Sequence, residues 1–129
     1  MMRIPNKIEV RNISKTERGV FASFHIKKGE VIEMSPVILI PKNQQKVIDK
    51  TSVFNYYFYW GPKNQPALAL GYGSLYNHSY QPNARYDHDE KRRLMIFRAI
   101  RDIKKGEEIR TNYNGDPDDQ TKVWFPVKW

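Results

Sequence analysis

Three short segments of this chain carry side chains that chemistry can use. Gly71-Tyr72-Gly73-Ser74-Leu75-Tyr76-Asn77-His78-Ser79, followed by Pro82-Asn83, sets an amide, an imidazole and a hydroxyl in a row behind two glycines. Gly106-Glu107-Glu108-Ile109 leads to the phenol of Tyr113, and Glu17-Arg18-Gly19 runs into the apolar Val20-Phe21-Ala22. Taken singly, each has a structural reading: a glycine before a strand is a turn, Asn-His-Ser is a capped polar corner, and a tyrosine after a strand is core or surface. Asp116, Asp118 and Asp119 form an acidic group, but their spacing lacks the ligand count of a calcium loop. They read as a solvated turn that attracts a basic substrate, and no metal site is expected. The chain has no cysteine, which excludes disulfides, thiolate-bound zinc and a cysteine nucleophile together.

The elements that must position these groups are short. Glycines, prolines and asparagines interrupt β-rich runs at Ile8 to Val10, Val31 to Met34, Val37 to Ile40, Leu94 to Phe97 and Glu108 to Thr111. The one helical pattern, Gln44 to Tyr59, places Val47, Ile48, Val53, Phe54, Tyr57 and Phe58 at roughly helical spacing, diluted by Thr51, Val53 and the aromatics. It predicts a short helix running into an irregular aromatic segment. Residues 24–32 and 101–109 agree at six of nine positions around a shared Ile-Lys-Lys-Gly-Glu. That echo predicts one device used twice: an apolar residue pinned inward, a turn whose glycine takes positive φ, then a strand. Two similar β units wrapped into a single domain spanning residues 1–129 would follow.

In this order the three segments resemble the SET-domain protein-lysine methyltransferases, across about residues 7–115, with 116–129 as a closing tail. The length and the lack of cysteine are most similar to the minimal bacterial and viral members, which have no zinc-bearing flanks. The resemblance implies a mainly β, β-clip fold of several small sheets with one or two short helices. In it the Tyr113 motif threads, knot-like, beside Asn77-His78-Ser79. It also implies S-adenosylmethionine as cofactor and a lysine-containing protein or peptide as substrate, a histone or another basic protein being compatible.

Site roles follow from that resemblance and from what the reaction demands. The cofactor has a zwitterionic end, a sulfonium and a flat adenine, so its site needs carbonyls and amides at one end and an apolar slot at the other. The resemblance assigns the backbone of Arg18, Gly19 and Val20 to a close approach, Asn77 to the amino-acid end, and the His78 backbone to adenine. The His78 imidazole is expected to bond within the knot, not to act as a base. Trp124 or Phe125 would stack on adenine. Tyr113 is the catalytic residue, its hydroxyl orienting a neutral amine for in-line displacement. Tyr56, Tyr72, Tyr86 and Thr111 are assigned to the substrate channel, where tyrosines wall the lysine methylenes.

Two departures stand out. Where the family has Gly-x-Gly, this chain has Glu17-Arg18-Gly19, and the usual Tyr-x-Gly-Glu is replaced around Met34-Ser35-Pro36. Composition narrows the rest. The net charge of +8 divides as +5 over residues 1–50, +3 over 51–100 and zero beyond, a spread that predicts only non-specific attraction to nucleic acid. No apolar run approaches the ~18 residues a membrane span needs, and no signal-peptide core is seen, so a cytoplasmic or nuclear location is expected; the resemblance to the minimal viral members implies a homodimer. The second reading of the same residues is a catalytically idle β-clip module that binds nucleic acid or an acidic partner.

Overall fold

A computed structural model of the chain describes residues 5–124. Phe125, assigned above to the cofactor, lies outside the described residues. Nine strands form two sheets: β1 (Ile8–Asn12), β2 (Arg18–Ala22), β3 (Val31–Leu39), β4 (Tyr57–Trp60), β5 (Gln65–Ala69), β6 (Asn77–His78), β7 (Ala84–Asp89), β8 (Leu94–Ala99) and β9 (Glu108–Thr111). The first sheet runs β1-β2-β9-β6 and the second β4-β5-β3-β8-β7. Among the described residues only β6 and β9 pair in parallel, with Asn77 opposite Arg110 and His78 opposite Thr111.

The sequence echo is a near-two-fold arrangement. Ile26 and Ile103 are fully buried and exchange both backbone hydrogen bonds, at 2.9 and 2.8 Å. After each comes the Lys-Lys-Gly turn, with Gly29 at φ +87° and Gly106 at φ +90°. A Cβ would meet nothing within 4 Å at either glycine, so backbone conformation, not space, requires them. Gly29 N–H donates to the Ala99 carbonyl and Gly106 N–H to the Ala22 carbonyl, each at 2.8 Å. The strand leaving each turn joins the other unit's hairpin: β3 pairs with β8, and β9 with β2. The units therefore exchange strands, and their common core collects Val20, Ile26, Tyr76, Met95, Phe97, Ile103 and Ile109.

Pro36 sits inside β3 without breaking it. Pairing with β8 covers Val31 to Pro36, whereas pairing with β5 begins at Val37, so the missing N–H falls where β3 changes partners. The Gln44–Tyr59 region departs from its helical pattern. It forms a turn of 3-10 helix (Lys42–Gln44), a four-residue helix α1 (Gln45–Ile48), a second 3-10 turn (Ser52–Asn55) and then strand β4. None of the helical residues is buried. The aromatic run Tyr57–Trp60 pairs with β5 instead, because ladder hydrogen bonds and core contacts there outweigh a weak helical preference. Among the described residues no helix is long and apolar enough to cross a membrane.

Candidate active site

A polar seam forms where β2, β9 and β6 lie side by side. The Asn77 amide donates to the Arg18 carbonyl at 3.1 Å and to Glu108 Oε2 at 2.7 Å. The Glu108 side chain is 6% exposed, and its other oxygen accepts from Arg110 at 2.8 Å. Gly19 makes this seam possible: a Cβ there would lie 2.3 Å from Glu108 Oε2 and 2.9 Å from Asn77 Nδ2. Asn83 braces the seam from the far side. Its amide donates to the Glu108 carbonyl at 2.8 Å and its Oδ1 accepts from Arg110 N–H at 2.9 Å, so one side chain extends the edge of β9. Arg18, Gly19, Val20, Asn77 and His78 are thus brought together on one sheet.

Tyr113 leaves this sheet at the end of β9. Its N–H donates to His78 Nδ1 at 3.0 Å, and its hydroxyl donates to the Tyr76 carbonyl, one residue ahead of Asn77. Burial holds the His78 imidazole below the usual histidine pKa. That suits a ring whose Nδ1 must stay an acceptor. Burial, with Tyr86 and Glu108 nearby, lifts the Tyr113 phenol well above the usual tyrosine range, so it stays protonated through physiological pH.

Beyond the phenol opens an aromatic cavity of about 330 Å³. Its walls include Tyr56, Phe58, Tyr76, Tyr86, Tyr113 and Trp124. The Tyr86 hydroxyl donates to the Tyr113 carbonyl at 3.3 Å, its phenol is pushed up to about 12 by burial, and its ring meets Phe58 edge-on at 5.1 Å. Trp124 stacks on Tyr113 at 5.9 Å and 24°, and its indole N–H donates to Asn55 Oδ1 at 3.4 Å. The tail carrying it is tied back by Asn112, whose amide donates to the Asp119 carbonyl at 2.6 Å, and by Val123 N–H on the Tyr80 hydroxyl at 3.1 Å.

Two of the expected channel residues are not on these walls. Tyr72 packs against the core, and its N–H donates to Glu33 Oε2 at 2.9 Å. Thr111 is 1% exposed in β9, opposite His78. Three residues not singled out by sequence reasoning belong to the site: Glu108 in the seam, and Asn55 and Phe54 beside Trp124. Glu108 stood in the Gly-Glu-Glu segment, whose motif was the available signal. Asn55 and Phe54 lay inside the segment read as a short helix, and they form its second 3-10 turn.

The small curled sheets and the exchanged β units are the fold of a SET domain. The SET-domain family model matches residues 17–114, and the chain belongs to that family as a protein-lysine methyltransferase. Over 127 residues it is 34% identical to the histone-lysine N-methyltransferase, H3 lysine-37 specific, of Schizosaccharomyces pombe, an alignment covering 96% of this chain and 82% of that protein. A crystal structure of a Plasmodium falciparum protein described as a candidate histone methyltransferase is similar with TM-score 0.64 and 34% identity, covering 85% of this chain and 95% of that one.

Proposed function

We propose that the protein transfers a methyl group from S-adenosylmethionine to a lysine of a histone or another basic protein, with Tyr113 as the catalytic residue. SET methyltransferases in general use that cofactor, and a relative of similar length acts on histone H3. The observation that carries the assignment is the Tyr113 hydroxyl, which bonds the Tyr76 carbonyl beside Asn77 while its ring lines the aromatic cavity.

The seam suits the cofactor's amino-acid end. With no side chain on Gly19, Glu108 and Asn77 reach in against β2, and the Asn77 amide oxygen with the buried Glu108 carboxylate supplies acceptors for a cationic group. Arg18, Gly19, Val20, Asn77 and the His78 backbone would hold it, and when bound it supplies a methyl activated on a sulfonium. The remaining work belongs to the chain. Aromatic walls strip water from a lysine stem, and a desolvated amine next to positive charge favours its neutral, nucleophilic form. The protonated Tyr113 phenol orients that amine instead of accepting its proton. Lining the cavity, Tyr56 and Tyr86 fit the stem's methylenes, and Trp124, expected from the sequence to stack on adenine, stacks on Tyr113 instead and closes one side.

Tyr113→Phe is expected to cut kcat on a lysine peptide about 100-fold, the range typical of a lost oriented hydroxyl, while cofactor affinity by calorimetry changes less than about threefold. Undiminished turnover in a folded Tyr113→Phe protein would remove Tyr113 from the mechanism. Incubation with labelled cofactor and a histone mixture, then mass spectrometry, identifies the substrate.

A further inference from the structure

Glu33 is a carboxylate at 4% exposure in the middle of a sheet, and the reaction as described does not use it. Burying a charge of this kind is costly unless it is tightly bonded. Here Oε1 accepts from the Tyr76 hydroxyl at 2.6 Å and Oε2 from Tyr72 N–H at 2.9 Å. Segment 71–76 wraps around it, and a Cβ on Gly71 would lie 2.4 Å from Glu33 Oε2, at a residue already at φ +64°. Tyr76 is itself 2% exposed, stacked on Phe97 at 4.3 Å and 21°.

These contacts lead to the reacting centre. Tyr76 has its side chain in one sheet and its backbone at the entry to the other: the hydroxyl reaches Glu33 on β3, the next residues are Asn77–His78 of β6, and its carbonyl accepts the Tyr113 hydroxyl. We propose that Glu33 and Tyr76 are positioning residues for methyl transfer, a clamp between the two sheets that sets the Tyr76 carbonyl and through it the direction of the Tyr113 hydroxyl. The proposal rests on the assignment of Tyr113 as the catalytic residue. A relaxed clamp leaves both binding regions in place and lets the phenol wander, so the loss falls on kcat. Misplacement of about 1 Å at a reacting group is enough to cost up to about 100-fold.

Three single variants and one double variant test it at temperatures where circular dichroism shows each folded. Tyr76→Phe keeps the ring and deletes the clamp, and should lower kcat about tenfold with KM for peptide and cofactor within about twofold. Glu33→Gln should rescue: its Oε1 accepts from Tyr72 N–H, its amide donates to the Tyr76 hydroxyl oxygen, and kcat stays within about threefold of wild type, whereas Glu33→Leu should match Tyr76→Phe. Adding Tyr76→Phe to Tyr113→Phe should cost nothing further, because the clamp acts only through that hydroxyl. Wild-type kcat in folded Tyr76→Phe, a Glu33→Gln as poor as Glu33→Leu, or full additivity in the double variant would each overturn the clamp while leaving Tyr113 in place. Full activity in Tyr113→Phe would overturn the catalytic assignment first.

Discussion

The polar seam and the aromatic cavity meet at Tyr113, yet they are built on different principles. The seam lies on three paired strands, where the Asn77 and Asn83 amides bond the Glu108 carboxylate and the backbone carbonyls of Arg18 and Glu108 at 2.7 to 3.1 Å. The cavity is walled by the 3-10 turn at Ser52–Asn55, strands β4 and β7 and the tail carrying Trp124, joined by ring contacts of about 5 to 6 Å. Where a small zwitterion must be recognised, geometry is set by directional bonds. A flexible lysine stem needs only apolar walls that exclude water, and ring packing tolerates variation there.

Substitutions that load only one side sharpen this contrast. The largest effect is expected from Gly19→Val, whose side chain would fill the space occupied by Glu108 Oε2 and Asn77 Nδ2. Cofactor binding by calorimetry should weaken about 100-fold or more, as expected when several bonds are displaced at once, with little change in the cavity's tyrosine fluorescence. Trp124→Ala should do the reverse. The indole is 56% exposed, so folding loses less than about 1 kcal/mol. KM for a lysine peptide should rise about tenfold at near-constant cofactor affinity, the mark of lost substrate binding.

The smaller, pH-dependent effect arises at the junction. The His78 pKa is lowered in the folded state, so its contribution is fully present above the ordinary histidine value of about 6.5 and is lost as pH falls through the folded value. Protonation would turn Nδ1 from acceptor into donor against Tyr113 N–H. Stability and kcat should decline together on the acid side, by about 1 kcal/mol per pH unit once titration begins. His78→Asn keeps an acceptor near Nδ1 and should flatten that acid limb in denaturation measured across pH. An unchanged limb would place its cause at another group, and not at Glu33, whose titration acts in the opposite direction. The Glu33 pKa is raised chiefly by burial, so its cost to folding grows as pH rises through that value. Glu33→Gln should therefore gain stability over wild type with increasing pH.

Legibility in the sequence followed the range of the interactions. Asn77-His78-Ser79 and Gly106 to Tyr113 were readable because each is a short string whose neighbours set its turn and strand. Tyr57–Trp60 was not, since the strand preference of its aromatics was masked by the helical spacing of apolar residues before it, and pairing with β5 made the choice. Tyr72 looked like its neighbours Tyr76 and Tyr86, but Glu33, far away in sequence, draws its backbone into the core.

The amino-acid sequence alone determined the chemical class, through three motifs in order, and the internal duplication, because Ile-Lys-Lys-Gly-Glu carries its own turn. Tertiary structure alone decided that the duplicated units exchange their third strands, which tyrosines face the cavity, and that a buried glutamate grips the residue accepting the Tyr113 hydroxyl. Those outcomes depend on contacts between residues dozens of positions apart, and such contacts take their energy from packing and desolvation that no local string encodes.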